Sequence, residues 1–211
     1  MSDAWRAELE AGIDALALDI DAAVADRLLA YHALLVKWNR AYNLTSVRDP
    51  AQMIHRHLID SLAIVPFIND SDLLDVGTGP GLPGMILALV RPDQSIALLD
   101  SNGKKTRFLT QVKLDLGVDN VTVVHNRLES WQPQRRFGQI TSRAFATLDE
   151  MVAKSLHLLA PAGHFLAMKG RYPQDELDAL PAGVACDAVH SLNVPGTSGA
   201  RHLVQLSIRE V

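Results

Sequence analysis

The sequence lacks several features that define whole classes of proteins. Its 211 residues include one cysteine, Cys186, which excludes an internal disulfide and favours a reducing compartment. No apolar run approaches the roughly 20 residues that a membrane-spanning helix needs. The first residues are mixed and acidic, which is untypical of a secretion signal. These absences predict a cytoplasmic protein without a membrane segment, and Cys186 is expected to be a small buried core residue rather than a nucleophile.

The sequence also lacks a metal-binding pattern. His55 and His57 are two positions apart, but no Cys/His set at zinc spacing accompanies them. No metal site is therefore expected. His57 is interpreted as a residue that packs against Asp60 or forms a hydrogen bond with it.

Length and composition allow one α/β domain with a full core and a small appendage, because 48% of the residues are hydrophobic. The net charge is −4, but residues 31–60 carry +2 and residues 101–150 carry +3. If these basic segments meet in space, they form a surface for an anionic ligand. They are equally well explained as solvated helix faces, and charge alone leaves both interpretations open.

The first 68 residues are predicted to form a helical cap. Apolar residues recur every three or four positions from Val24 to Tyr42, which is one stripe of an amphipathic helix. Asp49 and Pro50 have the N-cap and first-turn positions of another helix. That helix is expected to run to about Val65.

The remaining residues, 69–211, are predicted to form the main domain. Strands are expected near 72–76, 95–100, 121–125, 139–144 and 163–169, and helices near 82–91, 103–116 and 147–159. This alternation favours a parallel sheet with right-handed crossovers and helices on both faces. Two further runs, Val184 to Val194 and His202 to Arg209, flank a turn-rich loop and predict a terminal antiparallel hairpin.

A glycine-rich turn follows the first predicted strand. The segment that begins at Asp75 reads DVGTGPGLPG, and Gly77, Gly79 and Gly81 have the spacing G-x-G-x-G. Glycines in such a turn allow the backbone to approach a ligand where a Cβ would block it. Asp100 ends the next strand, where a nucleotide-binding α/β unit holds ribose hydroxyls. Together these features predict a cofactor that contains a nucleoside.

The glycine spacing separates two candidate cofactors. Leu82 occupies the third glycine position of the dinucleotide fingerprint, and no Tyr/Lys catalytic pair is recognisable, which weakens the case for a nicotinamide oxidoreductase. The loop, with Asp75 two residues before its first glycine, instead resembles the first motif of class I S-adenosylmethionine methyltransferases. In that Rossmann-like fold the turn after the third strand borders the adenine, which implicates the backbone of Leu128 and Glu129. An ordinary helix cap explains this turn equally well on local sequence.

The segment after the fourth strand lacks two motifs that activate a methyl acceptor. Residues 140–145 read ITSRAF, without the Asn/Asp-Pro-Pro-aromatic motif of enzymes that methylate exocyclic amines. They also lack a cysteine for covalent addition to a pyrimidine. The target atom is therefore expected to need neither deprotonation nor covalent activation.

Four segments together carry a family resemblance. They are WNRAYNLTSV (38–47), RHLIDS (56–61), DVGTGPGLPG (75–84) and SRA (142–144). From about Leu28 to Leu203 the chain resembles the ribosomal RNA small subunit methyltransferase G family, also called glucose-inhibited division protein B. The resemblance implies methyl transfer from S-adenosylmethionine, which leaves S-adenosylhomocysteine, to N7 of one guanine in bacterial 16S ribosomal RNA. It assigns cofactor contacts to Gly77, Leu82, Leu128, Glu129 and Arg143, with Asp75, Gly79, Gly81 and Asp100 added from the loop and the strand end.

The chemistry of guanine N7 agrees with the missing motifs. N7 carries a lone pair and no proton, so it can attack a sulfonium methyl in line without a general base, and catalysis is mostly positioning. No acid or base is assigned. Arg143 is the positioning candidate, with the methionine carboxylate, a phosphate or guanine O6 as its ligand, because a bidentate grip on O6 and N7 would occupy the reacting lone pair.

Basic side chains near these motifs are candidates for RNA contact. The target guanine must leave its stack to react, and phosphate contacts supply much of the affinity. The candidates are Arg40, Arg48, Arg56, His57, Lys104, Lys105, Lys169 and Arg171. The expected partner is 16S ribosomal RNA or the small ribosomal subunit, bound by a monomer. An RNA assembly factor with S-adenosylmethionine as a structural ligand, and a methyltransferase for another substrate, stay open as alternatives.

Overall fold

A mixed β-sheet forms the centre of the molecule in this computed structural model, which describes residues 3–144 and 147–209. Phe145, part of the segment after the fourth strand, lies outside the described residues. The strands are β1 (Leu73–Val76), β2 (Ile96–Asp100), β3 (Val121–His125), β4 (Phe137–Arg143), β5 (Leu159–Lys169), β6 (Val184–Leu192) and β7 (Arg201–Ile208). Their order is β3-β2-β1-β4-β5-β7-β6. Strands β1 to β5 are parallel, and β7 is antiparallel to β5 and β6, which confirms the predicted sheet and hairpin.

Helices precede the sheet and connect its strands. The first are α1 (Asp3–Ala15), α2 (Ala22–Tyr42), α3 (Pro50–Met53), a π-helical segment (Ile54–Ile59) and α4 (Asp60–Leu62); α5 (Gly84–Val90), α6 (Gly103–Leu116), α7 (Leu148–Ser155) and α8 (Gln174–Asp178) follow. Short 3₁₀ turns lie at Val65–Phe67, Leu128–Ser130 and Leu156–Leu158. The α8 turn was not expected from the sequence. None of the helices in the described part of the chain is both long and apolar enough to cross a membrane.

Both faces of the sheet are covered by helices. Successive strand residues point to opposite faces, so Leu73 and Leu98 pack with α1, α2, α5 and α6, whereas Leu74 and Leu99 pack with α7. Strands β1 and β2 are buried along their whole length. This is the pattern of parallel strands that are covered on both sides, and it confirms the predicted architecture.

The N-terminal helices pack on the face formed by α5 and α6. Leu28, Tyr31 and Leu35 of α2 are fully buried, while Tyr42, in the same apolar stripe, is 40% exposed. The Tyr31 hydroxyl donates a hydrogen bond to the carbonyl of Pro80 in the glycine loop at 2.8 Å. One hydrophobic core runs through both residues 1–68 and residues 69–211. The division into a cap and a main domain at this point therefore stays a prediction.

The helix that was predicted from Asp49 to about Val65 contains a π-helical segment. Asp49 caps its start, as predicted, by accepting a hydrogen bond from the N–H of Ala51 at 3.0 Å. Farther along, the N–H of Asp60 donates to the carbonyl of His55, five residues earlier. Such wide turns are rare and recur at functional sites, and apolar periodicity does not reveal them.

Cys186 lies on the surface, so the expectation of a buried core thiol is wrong. The pairing of β6 with β7 shifts between Cys186 and Ala188, which is a bulge in an edge strand. The bulge changes the side-chain alternation at this point, and Cys186 contacts the carbonyl of Ala188 at 3.7 Å instead of the core.

Gly84, the first residue of α5, packs directly on the sheet. A Cβ there would lie 2.4 Å from a methyl carbon of Leu98 and 2.8 Å from the Cβ of Asp75. We expect Gly84→Ala to lower the free energy of unfolding by about 1–3 kcal/mol in urea denaturation, because buried backbone and core must shift. Gly170→Ala is the matched control, since a Cβ there has nothing within 4 Å. Equal stability of the two variants would contradict this account.

Candidate active site

The glycine loop is supported from below by a buried carboxylate. Asp75 is fully buried, and its Oδ2 accepts hydrogen bonds from the hydroxyl of Thr78 at 2.6 Å and the N–H of Gly84 at 2.8 Å. Its Oδ1 is buried without a hydrogen-bond partner among the described residues. Burial raises the pKa of Asp75 to about 7, although both hydrogen bonds oppose this effect. One side chain thus ties the two ends of the loop together.

Three loop glycines adopt left-handed backbone conformations. Gly77 has φ of 64°, Gly79 of 62° and Gly81 of 99°, values that L side chains rarely adopt. Gly81 faces the protein, because a Cβ there would lie 2.7 Å from side chains of both α5 and α6. Of the predicted cofactor contacts, Asp75 and Gly81 therefore support the loop, while Gly77 and Gly79 line cavities.

Two adjoining cavities open at the carboxyl ends of the parallel strands and share Gly77. The first, here called the Asp100 pocket, has a volume of about 670 Å³ and is lined by Gly77, Leu99, Asp100, Ser101, His125, Asn126, Arg127, Leu128, Glu129 and Lys154. The second, here called the Arg143 cleft, has a volume of about 840 Å³ and is lined by the glycine loop, the cap and the ends of β4, β5 and β7. This is the edge at which ligands bind to open α/β sheets.

The Asp100 pocket combines a carboxylate with residues of the turn after β3. Asp100 is 7% exposed, and its Oδ2 accepts a hydrogen bond from the N–H of Gly79 at 2.9 Å, while its Oδ1 accepts one from Asn102 at 2.8 Å. A carboxylate has capacity for further donors at each oxygen. Leu128 and Glu129, in the turn after β3, line the same pocket. The pocket thus offers acceptors for a pair of hydroxyls beside a surface for a planar base.

Arg143 joins the sheet to the cap at the centre of the cleft. Its Nη1 donates to the carbonyl of Arg56 at 2.8 Å and to Oδ2 of Asp60 at 3.1 Å. The two basic segments that the sequence suggested, 31–60 and 101–150, therefore meet in space at this contact.

Arg201, which sequence reasoning missed, reaches the same carboxylate. Its Nε donates to Oδ1 of Asp60 at 3.1 Å. Arg201 is the first residue of β7, and the antiparallel pairing of β7 with β5 places His202 opposite Lys169. The only signal in the sequence was its position directly after the turn-rich loop of the predicted hairpin. A strand that follows such a loop can begin beside the end of a neighbouring strand.

His57 is buried in the wall of the cleft at 4% exposure. Its Nδ1 donates to the carbonyl of Arg56 at 2.9 Å, so its Nε2 accepts from the hydroxyl of Thr45, also at 2.9 Å. Of the alternatives expected for His57, the hydrogen bond to Asp60 is wrong, because both ring nitrogens have other partners. Burial, with the positive charge of Arg143, lowers the pKa of His57 to about 4, so the ring is neutral at pH 7.

The candidate RNA contacts fall into two groups. Those that line the Arg143 cleft are Arg56, His57, Lys105, Lys169 and Arg171. Arg40, Arg48 and Lys104 are exposed outside both cavity linings. Two lysines of the first group also face carboxylates, since Lys169 lies 2.7 Å from Glu176 and Lys105 lies 3.7 Å from Asp100. In the described part of the chain, no group of three or more His, Cys, Asp and Glu residues could hold a metal ion.

The strand order and the Asp100 pocket beside the glycine loop define a class I S-adenosylmethionine-dependent methyltransferase fold. The glycopeptide N-methyltransferase MtfA, solved with S-adenosylhomocysteine, aligns with a TM-score of 0.60 at 12% identity over 72% of this chain and 87% of that chain. The ribosomal protein L11 methylase of Lactobacillus delbrueckii subsp. bulgaricus aligns with a TM-score of 0.55 at 15% identity over 74% and 80%. At these identities the likeness concerns the fold alone.

Sequence comparison identifies the particular family. Residues 25–204 match the family described as rRNA small subunit methyltransferase G, and the chain belongs to it. The ribosomal RNA small subunit methyltransferase G of Marinobacter nauticus is 54% identical over 200 residues, which cover 95% of this chain and 94% of the relative. The protein of the same name from Pseudomonas syringae pv. syringae is 51% identical over 199 residues, which cover 94% and 93%.

The raised pKa of Asp75 predicts that stability depends on pH. The folded protein binds this proton more tightly than the unfolded chain, so the contribution of Asp75 to stability falls as the pH rises from about 4 to about 7. The lowered pKa of His57 acts in the opposite direction between about 4 and 6.5. His57 is present in both the native protein and the Asp75→Asn variant, so its effect cancels when their melting temperatures are compared. We expect the melting temperature of the variant, minus that of the native protein, to increase from pH 5 to pH 8 in calorimetry. A difference that does not change with pH would count against a buried, proton-binding Asp75.

Proposed function

We propose that this protein transfers a methyl group from S-adenosylmethionine to N7 of a guanine in bacterial 16S ribosomal RNA. The observation that carries the proposal is the junction at Gly77, where a pocket suited to a nucleoside opens into a cleft lined by arginines and lysines. Membership in the rRNA small subunit methyltransferase G family supports the RNA substrate, and the N7 position follows from what that family resemblance implies.

The lining of the two cavities fits the cofactor. When bound, S-adenosylmethionine supplies a methyl group on a positively charged sulfur. Asp100 would accept hydrogen bonds from its ribose hydroxyls, and the backbone of Leu128 and Glu129 would border its adenine. Its methionine part would pass Gly77, which lines both cavities, and Leu82, which lines the cleft. Gly77, whose backbone has φ of 64°, has no side chain that could obstruct the junction between the pocket and the cleft.

The site is suited to a reaction that needs no proton transfer. Asp75, beneath the loop, and His57, in the wall of the cleft, are 0% and 4% exposed and engaged in hydrogen bonds. Neither is available as a general base, and guanine N7 has no proton to lose. Positive charge moves from the sulfur to the purine during transfer, so Arg143 serves best when it holds a neighbouring anionic group and does not point at N7. Catalysis is then largely positioning.

The proposal is tested with 16S ribosomal RNA and small subunits from a strain that lacks this gene. Purified protein and methyl-labelled S-adenosylmethionine are added, and modified sites are mapped by strand cleavage at 7-methylguanosine. One new cleavage site is expected. Cofactor binding without label in any RNA would instead favour an assembly factor or another substrate. We also propose that the protein acts as a monomer in the cytoplasm, where ribosomal RNA is made, and light scattering on the purified protein tests the monomer.

The role of Asp100 predicts a selective loss of cofactor affinity. Asp100→Asn removes a charged acceptor, and hydrogen bonds to charged groups contribute about 1.5–3 kcal/mol, so the Kd for S-adenosylhomocysteine should rise by about 10–100-fold in calorimetry. Asp93→Asn is the matched control, because Asp93 is exposed in the turn before β2, at the opposite edge of the sheet. An unchanged Kd for Asp100→Asn would remove Asp100 from the cofactor site.

The basic cleft predicts that RNA binding depends on salt. Arg56→Glu and Arg171→Glu should each weaken RNA binding and reduce the slope of log K against log salt by about 0.7–0.9 per lost phosphate contact. Arg135→Glu is the control, since Arg135 precedes β4 and pairs with Asp72 at the edge opposite the cleft. Equal effects of all three reversals would mean that net charge, and not the cleft, governs binding.

A further inference from the structure

Asp60 lies where the cap, the end of β4 and the start of β7 meet. It is 4% exposed, and each of its two oxygens contacts a different arginine at 3.1 Å, Arg143 at Oδ2 and Arg201 at Oδ1. Both arginines line the cleft, with side chains that are 20% and 23% exposed. One buried carboxylate therefore holds two guanidinium groups at the wall of the cleft.

The surrounding backbone fixes this arrangement. The N–H of Asp60 donates to the carbonyl of His55 in the π-helical segment, and the carbonyl of Arg56 in the same segment accepts from Nη1 of Arg143. Arg201 is held by a bond from its Nη1 to the carbonyl of Ala200 at 2.9 Å. The wide helical turn thus presents a carboxylate and a carbonyl to the same guanidinium.

The charges in this cluster favour an anion. Two guanidinium groups on one carboxylate leave a net charge of +1 at the cleft wall, and without the carboxylate the two groups would repel each other. Planar guanidinium groups in a fixed orientation match the oxygens of a phosphate group.

The position of Asp60, Arg143 and Arg201 favours an RNA phosphate over the cofactor as the anion that the two arginines bind. Arg56 and Arg201 line both the cleft and a further groove of about 510 Å³, which is also lined by residues of α1, α3 and the segment 196–198. The groove shares no lining residue with the Asp100 pocket, so Arg201 borders both the cleft and a second surface, as binding of an RNA strand that extends past the reacting guanine requires.

We propose that Asp60 is a positioning residue, which holds Arg143 and Arg201 as a rigid pair that binds one phosphate of the substrate RNA beside the reacting guanine. This inference rests on the proposed function. Asp60 itself does not touch the RNA. It acts by fixing the direction of the two arginines, and through them the position of the guanine in the cleft.

The test uses Asp60→Asn, which keeps the size of the side chain and removes its charge. Its kcat for RNA methylation should fall by about 10–100-fold, because the two arginines separate and the guanine is misplaced. Its Kd for RNA should stay within about threefold of the native value or tighten, because the cleft becomes more positive. Its Kd for S-adenosylhomocysteine should not change. Ile59→Val, a buried apolar change at the adjacent position, controls for lost stability and should leave all three constants unchanged.

A second variant keeps the inference testable if Asp60→Asn does not fold. Arg201→Lys retains the charge but lacks the Nε–H that contacts Asp60, so its kcat should fall while RNA binding is kept. An unchanged kcat in both variants would overturn the inference, as would parallel losses of RNA binding, cofactor binding and melting temperature. A selective rise in the Kd for S-adenosylhomocysteine would also overturn it, and would assign the arginine pair to the methionine carboxylate. Failure of the proposed function is distinguishable, because the native protein would then form no 7-methylguanosine in the same assay.

Discussion

The buried carboxylate of Asp75 is the constraint on which the rest of the site depends. By accepting from Thr78 and Gly84 it closes the glycine loop over the end of β1. The closed loop then directs the N–H of Gly79 to Asp100, which shapes the pocket, and the carbonyl of Pro80 to the cap. Full burial disfavours the charged form of this carboxylate and raises its pKa to about 7, so the group that shapes the loop is held there against the cost of its own desolvation.

The two cavities are built in different ways. The Asp100 pocket is formed by the loop and the ends of β2 and β3, which follow one another closely in sequence. The Arg143 cleft requires three distant parts of the chain, and Asp60 is where they meet through Arg143 and Arg201. The pocket can therefore be shared by proteins of one fold at low sequence identity, whereas the cleft depends on a cap and hairpin that must be positioned together.

This difference explains how much could be predicted from the sequence. The strands, the loop and Asp100 were predictable because short segments encode them through periodicity and glycine spacing. The bulge that exposes Cys186, the hydrogen bond of His57 to Thr45 and the arrival of Arg201 in the cleft were not, because contacts between distant segments determine them. The same holds for the π-helical segment, whose residues have ordinary helical periodicity.

The absence of a recognisable catalytic motif follows from the same physics. A reaction at guanine N7 needs an electrophilic methyl group and a nucleophile in line, so the residues that matter are those that hold other groups in place. Such residues carry no fixed spacing, and the ones that we propose here are buried carboxylates: Asp75 beneath the loop and Asp60 behind two arginines. In this proposal they act at a distance from the transferred methyl group, through the orientation of backbone N–H groups in one case and of guanidinium groups in the other. The positions of the reacting groups would then depend on electrostatic interactions in the interior of the protein. Variants that leave every cavity-lining residue unchanged could still alter the rate of methyl transfer.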